Sequence, residues 1–393
     1  MLIKEKVNQA KEILNEFNID CWITFVRESQ INGDPMLAFL TEADVTWHSA
    51  FIINKDGSTH AIVGRYDKPA IEELGAYDNV VGFVEGIKAP FQEYMKEKNP
   101  GKIAINYSKG SEICDGLTYG MYLTLYELLA EIGLEDRLVS AERLVSALRE
   151  RKSETELVHI KKAVEITEEI WDAVSKFVKP GMMEKEIAEF MKAEAKRHEV
   201  GLAWEPSCCP AVFAGPDGAE AHYPPGENPV QRGHILNMDF GVSYNGYVSD
   251  TQRTFYILKE DETTAPEDVM KGFNTIVEAV EESKRGIKIG IEAHEIDKIA
   301  RDIVVANGYE EFPHGLGHQL GRFSHDGTAL LGPKWEKYAE KPFKKLEENM
   351  VFTIEPRLTV PNRGIATIEE MIVIKKDGAE WITTPQKEII LIK

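Results

Sequence analysis

Residues 237–255 read NMDFGVSYNGYVSDTQRTF, and they predict a hairpin that carries two aspartates. The central Asn245-Gly246 pair is typical of a tight hairpin turn between two strands, with Asp239 on one strand and Asp250 on the other. A turn one residue earlier places the two aspartates directly opposite each other, whereas a turn centred on the Asn-Gly pair places them diagonally. Because side chains alternate with a period of two, both registers put the two carboxylates on one face.

Two carboxylates on one face of a hairpin repel each other. Cross-strand neighbours have Cβ atoms roughly 5–8 Å apart, where like charges lose stability unless a cation lies between them. A divalent cation is the simplest such group, and two unrelated aspartates on a solvated hairpin are the alternative. The hairpin therefore makes Asp239 and Asp250 candidate metal ligands.

Two more acids lie inside apolar, β-branched runs: Glu355 in MVFTIEPRL and Glu369 in GIATIEEMIVI. An unpartnered carboxylate in a buried strand is costly, so both acids need partners. The stretch HGLGHQLGRFSH, residues 314–325, adds His318. Two Asp, two Glu and one His are a hard, oxygen-rich ligand set, which suits a carboxylate-bridged pair of Mn²⁺, Co²⁺ or Zn²⁺ ions better than a single structural zinc.

The glycine-rich stretch does not fit other site motifs. Its last glycine comes one place too late for the G-x-G-x-x-G dinucleotide loop, and no strand with a downstream acidic ribose ligand frames it. The chain has no G-x-S-x-G elbow, H-E-x-x-H helix, Walker loop or C-x-x-C pair. Serine-hydrolase, dinucleotide and P-loop chemistry are therefore disfavoured.

The length of 393 residues predicts two domains, an N-terminal domain over residues 1–150 and a C-terminal domain over residues 151–393. An amphipathic helix to Phe17, the apolar strand CWITFV and a strand pair around Asp56-Gly57 predict that the first is a small α/β domain. Its His, Asp and Cys residues lack ligand spacing, so we expect this domain to be structural or to shape the rim of the active site.

The second domain begins with a strong helix signal. Ser153 and Glu156 predict a capping box, and apolar residues then recur at helical spacing as far as Phe177. KPGMMEKEI from Lys179 and KIGIEAHEI from Lys288 share Lys, Gly, Glu and Ile at an offset of 109 residues. This echo predicts a duplicated helix-turn-helix unit and two similar halves around a shared cleft.

Composition excludes several partners. The formal net charge of -20 and the absence of a basic stripe argue against binding nucleic acid. The N-terminal segment reads as a charged helix rather than a signal peptide, and no apolar run approaches the ~18 residues of a membrane span, so a cytoplasmic location is expected. The four cysteines, including the adjacent Cys208 and Cys209, are expected to be reduced.

Taken together, these motifs resemble the metallopeptidase superfamily of prolidase, aminopeptidase P, methionine aminopeptidase and creatinase. The resemblance covers nearly the whole chain, because residues 1–150 are similar to the N-terminal domain of prolidase, aminopeptidase P and creatinase. It implies an α/β (α+β) fold with a pseudo-symmetric pita-bread domain in residues 151–393. It also implies hydrolysis of a peptide bond preceding proline, with two divalent metal ions, Mn²⁺, Co²⁺ or Zn²⁺, a small peptide substrate and a homodimer.

The resemblance assigns roles residue by residue. The two-Asp hairpin, HGLGH, TIEP and TIEE supply the five implied metal ligands: Asp239, Asp250, His318, Glu355 and Glu369. Three further histidines match substrate-site positions of the proline-directed branch: His222, His314 and His325. They are expected to hydrogen-bond the substrate or to polarise the scissile carbonyl and its oxyanion, while Glu355 acts as general base and then general acid.

The chain also departs from the family pattern. Prolidase-like members usually have Gly-Leu/Ile-Tyr after TIEP and an arginine two residues before the last Glu, where this chain has Arg357-Leu358-Thr359 and Thr367. The candidates to replace the missing arginine are Arg322, Arg357 and Arg363. The segment of residues 328–346 is also long, and it is expected to reshape the substrate pocket.

Several functions remain open at this point. An Xaa-Pro aminopeptidase acting on longer peptides is the main alternative to an Xaa-Pro dipeptidase, and an inactive binding protein of the same fold is a further one. A metal-free amidinohydrolase like creatinase should have lost metal ligands, and here all five positions are filled. Methionine aminopeptidase is disfavoured because that branch normally lacks the N-terminal domain.

Overall fold

The computed structural model describes residues 2–216 and 223–393, and the chain forms two compact units. The first unit spans residues 1–149 and the second spans residues 150–393. Each unit has hydrophobic cores of its own. In the described part of the chain, no helix combines the length and the apolar character that crossing a membrane requires.

The first unit is a mixed sheet with helices on both faces. Its strands are β1 (Cys21–Val26), β2 (Ser49–Asn54), β3 (Thr59–Gly64), β4 (Asn79–Phe83), β5 (Ile103–Ile105) and β6 (Leu138–Ser140), in the order β4-β3-β2-β1-β5-β6. Its helices are α1 (Leu2–Phe17), α2 (Ser29–Asn32), α3 (Leu37–Leu40), α4 (Lys68–Leu74), α5 (Lys88–Lys98), α6 (Tyr119–Ala130) and α7 (Glu142–Glu150), with 3₁₀ turns at Glu112–Cys114 and Glu135–Arg137.

The local predictions for this unit are confirmed. The first helix ends at Phe17, CWITFV is a strand, and β2 and β3 form an antiparallel pair. Trp22 and Ile23, neighbours on β1, pack into different hydrophobic cores, because alternate side chains of a strand point to opposite faces. In the described part of the chain, none of the four cysteines, including Cys208 and Cys209 of the second unit, forms a disulfide.

The second unit contains two similar pairs of helices. They are α8 (Glu154–Phe177) with α9 (Glu184–Arg197), and α10 (Glu267–Gly286) with α11 (Ala293–Ala306). The predicted capping box of Ser153 and Glu156 begins α8, because each residue's side chain bonds the backbone N–H of the other.

The two helix pairs carry the repeat that the sequence indicates. α9 and α11 are both 14 residues long and begin 109 residues apart. Gly181 and Gly290 stand in equivalent turns with φ of 90° and 87°, a conformation that favours glycine. The N–H of Gly181 donates to Val230 O at 2.7 Å, and that of Gly290 donates to Leu346 O at 2.8 Å. The second unit is therefore pseudo-symmetric.

The strands of the second unit form several small sheets. They are β7 (Gly201–Leu202), β8 (Ala211–Ala214), β9 (Ile235–Phe240), β10 (Val242–Tyr244), β11 (Tyr247–Val248), β12 (Thr251–Ile257), β13 (Gly317–His318), β14 (Leu330–Leu331), β15 (Val351–Ile354), β16 (Arg357–Val360), β17 (Gly364–Thr367), β18 (Glu370–Lys375), β19 (Gly378–Trp381) and β20 (Ile390–Ile392). Short 3₁₀ turns occupy Glu336–Tyr338 and Lys341–Phe343. Helices α8 and α9 pack on the sheet β20-β12-β9-β8, and α10 and α11 pack against β15 to β18.

The structure decides the register of the aspartate hairpin. Tyr244 pairs with Tyr247, so the two turn residues are Asn245 and Gly246, with φ of 49° and 74°. Two positive φ angles define the type I′ turn, which matches the twist of a hairpin. Further along the same register Asp239 pairs with Gln252, so the two aspartates are diagonal neighbours on one face.

Candidate metal centre

Five segments of the second unit, in strands or beside their ends, bring the four predicted acidic ligands and His318 together. Asp239 lies on β9, Asp250 precedes β12, His318 ends β13, Glu355 follows β15 and Glu369 precedes β18. His318 Nε2 is 3.3 Å from Glu355 Oε1, and it is 3.9 Å from both Asp250 Oδ2 and Glu369 Oε1. Possible ligand atoms of Asp250, His318 and Glu369 all lie within 4.8 Å of one another. Asp239 joins the cluster by direct interaction with Asp250.

Two glycines allow the chain segments of this cluster to approach each other. A Cβ atom on Gly241 would lie 1.9 Å from the carbonyl oxygen of Ser249, so a larger residue cannot stand beside the aspartates. A Cβ atom on Gly317 would lie 2.0 Å from the carbonyl oxygen of Thr353. Thr353 Oγ1 accepts a hydrogen bond from His318 N at 3.1 Å. The last glycine of HGLGH therefore serves to dock His318 against β15.

The imidazole of His318 directs its unprotonated Nε2 toward the acids. Its Nδ1 is 3.4 Å from the carbonyl oxygen of Gln319, and since a carbonyl only accepts, the hydrogen is assigned to Nδ1. Burial, followed by the charge of His325, lowers the pKa of His318 to about 3. The lone pair of Nε2 therefore faces Glu355 and its neighbours, which is the tautomer that a metal-binding histidine requires.

The four acids are packed together, and no lysine or arginine of the described residues balances their charge. Burial raises the pKa of each of them, and neighbouring carboxylates add to the effect at three of the four: Asp250, Glu355 and Glu369. Within the described residues, none of the four forms an ion pair with a lysine or arginine. Oδ1 of Asp239 is buried and has no hydrogen-bond partner there. Because carboxylates and a free imidazole nitrogen are ligands for hard divalent cations, this cluster fits metal ions well.

The substrate histidines predicted from the sequence have different surroundings. The ring of His325 lies 4.2 Å from that of His318, edge to face, so it borders the cluster. Nδ1 of His314 is 2.7 Å from the carbonyl oxygen of Gly315, and burial above all lowers the pKa of His314 to about 4. His314 is therefore neutral at neutral pH, with Nε2 as a hydrogen-bond acceptor. His222 lies outside the described residues.

Two charged residues that the sequence analysis did not single out hold the segment around His314. Arg301 on α11 donates to both carboxylate oxygens of Asp297, at 2.8 and 2.9 Å. Its guanidinium also donates to the carbonyl oxygens of Phe312 at 2.7 Å and of His314 at 2.6 Å. Asp297 Oδ1 in turn accepts from Leu316 N at 3.0 Å. The available signal was an acid and an arginine at i and i+4 on the buried face of an amphipathic helix.

Hydrogen bonds to two acidic side chains also fix the loop that carries His325. Glu150 is buried, and its Oε1 accepts from the N and Oγ1 of Thr328, at 2.6 and 2.5 Å. Asp326 Oδ2 accepts from Arg322 N at 2.7 Å. The first residue of the second unit thus fixes the end of this loop.

The segment of residues 328–346 reaches the same region from the other side. β14 pairs with β13, and the Tyr338 hydroxyl accepts a hydrogen bond from Gly315 N at 3.0 Å. The rings of Trp335 and Tyr338 stack with their centres 5.8 Å apart. This segment therefore forms a wall beside His314.

The pseudo-symmetric fold and the acid cluster define the pita-bread class of metallohydrolases. Residues 158–376, more than half of the chain, match the description "Metallopeptidase family M24". The chain belongs to metallopeptidase family M24, as the sequence motifs indicated.

Relatives and solved structures agree with this family. An uncharacterised peptidase of Staphylococcus aureus (strain bovine RF122/ET3-1) is 32% identical over 86% of this chain and 88% of its own length. The chain spans 66% of the length of the first curated relatives that it matches. A Xaa-Pro dipeptidase from Bacillus anthracis has a TM-score of 0.75 at 24% identity, over 99% of this chain and 100% of that one. An X-Pro aminopeptidase from Thermotoga maritima MSB8 has a TM-score of 0.72 at 23% identity, over 99% of both. The predicted fold class is thus confirmed.

Proposed function

We propose that the protein is a Xaa-Pro dipeptidase that works with two divalent metal ions. The observation that carries the proposal is the convergence of Asp250, Glu355 and Glu369 on Nε2 of His318, with Asp239 beside Asp250, and no lysine or arginine of the described residues paired with these acids. Membership in family M24 and the fold shared with the Bacillus anthracis dipeptidase support it.

The residues that would hold the metal ions are Asp239, Asp250, His318, Glu355 and Glu369. Mn²⁺ or Co²⁺ suits this set best, and Zn²⁺ is a further candidate. When bound, such ions supply Lewis-acid activation of a water molecule and of the scissile carbonyl.

Glu355 is the proposed proton carrier. Its Oε1 lies 3.4 Å from Thr353 Oγ1, its Oε2 lies 3.4 Å from Gln252 Nε2, and burial raises its pKa. A carboxylate held beside the attacking water can take a proton from it and later return that proton to the leaving group. As the water oxygen bonds to the carbonyl carbon, Glu355 takes the proton of the water. It then returns the proton to the proline nitrogen as the carbon–nitrogen bond breaks, releasing an amino acid and proline.

We propose that the three histidines contact different groups of the substrate. We assign His325, beside His318, and His222 to the oxyanion and the leaving group. His314 carries its hydrogen on Nδ1, so its Nε2 can only accept, and we assign it to an N–H donor of the substrate rather than to the carbonyl. A proline on the far side of the scissile bond suits this site, because its tertiary amide brings no N–H that needs a partner.

An Xaa-Pro aminopeptidase acting on longer peptides is the second candidate. The fold shared with the Thermotoga maritima X-Pro aminopeptidase favours it. We also propose the predicted homodimer and cytoplasmic location, and light scattering of the purified protein tests the first of these.

The experiment that tests the function starts from metal-stripped protein reloaded with Mn²⁺, Co²⁺ or Zn²⁺. The panel is Ala-Pro, Ala-Pro-Ala, Met-Ala and creatine, with released products measured by mass spectrometry. We expect metal-dependent release of alanine from Ala-Pro above all others. Faster cleavage of Ala-Pro-Ala would favour the aminopeptidase, and no turnover of any peptide with any metal would contradict both.

A further inference from the structure

A groove along α11 is a second candidate ligand site in the second unit. Its volume of about 600 Å³ lies within the range of small-molecule sites in proteins. One side of α11, Glu311 and residues 333–334 line it, and among the described residues its lining includes neither a candidate metal ligand nor a predicted substrate histidine. A ligand in this groove would therefore not touch the groups assigned to hydrolysis.

The groove combines charged pairs with apolar surface. His294 lies 2.8 Å from Glu292, and Lys298 lies 2.5 Å from Asp302, so these charges already have partners. The apolar part of the lining comes from three residues: Val305, Ala306 and Pro333. Such a lining suits a ligand that has both an apolar body and charged groups.

Two charges of opposite sign at the groove are less firmly held. Lys334 forms no ion pair with an acid in the part of the chain that the structure describes, and its Nζ lies 5.4 Å from the centre of the Phe343 ring. The side chain of Glu311 is 59% exposed, and its Oε2 lies 3.6 Å from Nη1 of Arg301, which is too far for a hydrogen bond. One ammonium group and one carboxylate therefore remain available to a ligand.

Arg301 connects the groove to the segment that carries His314. A guanidinium has five N–H groups, and four of those of Arg301 donate to Asp297, Phe312 O and His314 O at 2.6 to 2.9 Å. The fifth belongs to Nη1, the nitrogen that lies 3.6 Å from Glu311. A carboxylate that enters the groove can accept from this N–H, and it then shares the guanidinium with the carbonyl oxygen of His314.

We infer that the groove binds a free α-amino acid with an apolar side chain. The carboxylate of the ligand accepts from Lys334 and Arg301, and its ammonium group donates to Glu311. Its side chain packs on Val305 and Pro333. A carboxylic acid without an ammonium group would leave Glu311 facing a like charge, and an amide would leave Lys334 without a counter-charge. A zwitterion satisfies both residues.

Occupation of the groove also controls the proposed reaction. This control rests on the proposed function, because hydrolysis of an Xaa-Pro dipeptide releases a free amino acid of this class. When the ligand shares the guanidinium of Arg301, the bond from that guanidinium to the carbonyl oxygen of His314 weakens. Because His314 is assigned to an N–H donor of the substrate rather than to proton transfer, the ligand should raise KM and leave kcat nearly unchanged.

Calorimetric titration of metal-free protein with L-leucine tests the site, because without metal ions the acid cluster repels the carboxylate of the ligand. L-leucinamide lacks the carboxylate and 4-methylpentanoate lacks the ammonium group. We expect each to bind about 10-fold more weakly than leucine, which is the cost of one charge-assisted hydrogen bond. Lys334→Met and Glu311→Gln should each weaken leucine binding by about 10-fold as well. The matched controls Lys344→Met and Glu310→Gln remove the same charges from residues that do not line the groove, and they should bind leucine like wild type.

Kinetics of Ala-Pro hydrolysis by Mn²⁺-loaded protein test the control of the reaction. Saturating leucine should raise KM about 5-fold or more in wild type. Lys334→Met should keep the basal kcat/KM and lose this effect. Leucine that acted as a product at the metal centre would still inhibit Lys334→Met, so unchanged inhibition in that variant would overturn the feedback through the groove.

Absence of leucine binding to wild type, or equal binding by wild type, Lys334→Met and Glu311→Gln, overturns the inference and leaves the proposed function standing. If no metal restores cleavage of any peptide, the proposed function falls, whereas the titration still tests the groove. Circular dichroism of each variant separates loss of the site from loss of the fold.

Discussion

Glu369 and Glu370 are consecutive buried acids with opposite surroundings. Glu370 meets Arg253, whose guanidinium lies 3.0 Å from Oε1 and 3.2 Å from Oε2. The hydroxyl of Thr383 donates to the same carboxylate at 2.6 Å, and Gln386 N donates at 2.8 Å. Glu369 instead faces three other acids and the bare Nε2 of His318.

The difference separates a structural acid from a candidate metal ligand. Burying a carboxylate is tolerable when donors surround it, as they do at Glu370. At Glu369 the carboxylate has few donors around it. Burying it in this way is unfavourable for the metal-free protein, but it suits the group to bind a cation. A buried carboxylate by itself does not indicate a metal site. A buried carboxylate that lacks hydrogen-bond donors and a counter-charge does indicate one.

The largest effect is expected from His318→Ala. The substitution removes the one nitrogen ligand of the cluster, so we expect kcat to fall about 1000-fold or more and roughly half of the bound metal to be lost. Turnover of Ala-Pro and metal content by mass spectrometry measure the two losses. Full activity in this variant would refute the assignment of His318 as a ligand.

Substituting the two glutamates one at a time tests the comparison directly. Glu370→Gln leaves Arg253 buried without its counter-charge, and the free energy of unfolding should fall by about 3 kcal/mol. Glu369→Gln removes one of several mutually repelling acids, so metal-free protein should become more stable by about 1 kcal/mol. Denaturant unfolding of metal-free protein measures both, and destabilisation of equal size at the two positions would contradict the distinction.

The free energy of unfolding should depend on pH differently with and without metal. The native-state pKa values of Asp250, Glu355 and Glu369 are raised well above the unfolded value near 4, so the native state holds more protons and metal-free protein loses stability as pH rises above about 4. Metal ions compete with those protons, and their stabilisation should grow with pH by up to about 1.4 kcal/mol per unit for each proton displaced. Unfolding with Mn²⁺ and with chelator between pH 5 and 8 measures the gap, and a constant gap would contradict the prediction.

The smallest effects are expected at two threonines that support the two environments. Thr383→Val removes a donor to Glu370 and should lower the free energy of unfolding by about 1 kcal/mol, with no change in metal affinity. Thr353→Val removes the acceptor for His318 N and a hydroxyl beside Glu355, and metal affinity should fall about 10-fold. Calorimetric titration with Mn²⁺ distinguishes them, and equal metal affinity in both variants would weaken the comparison.

Features encoded by short-range pattern were predictable from the sequence. The Asn245-Gly246 pair specified the hairpin because few residues tolerate two positive φ angles, and Ser153 with Glu156 specified the start of α8 because a capping box is complete within four residues. The repeat at an offset of 109 residues predicted the two helix pairs. The acids and His318 were proposed as one set because each was conspicuous in its own segment.

Partnerships between distant segments required the tertiary structure. The sequence analysis did not single out Asp297 and Arg301, because only the fold brings Arg301 to the carbonyl oxygen of His314. It also leaves three arginines equal, and strand register alone sets Arg357 opposite Thr367.

By itself, the sequence determined the family and the hairpin and indicated the candidate metal ligands, because local spacing and side-chain chemistry can be read from adjacent residues. It did not determine which of two consecutive glutamates faces a cation. The extended chain that enters β18 sends Glu369 and Glu370 in opposite directions, and the packing of β12 places Arg253 on the side of Glu370. Long-range packing therefore decided which acid is structural and which belongs to the candidate metal centre.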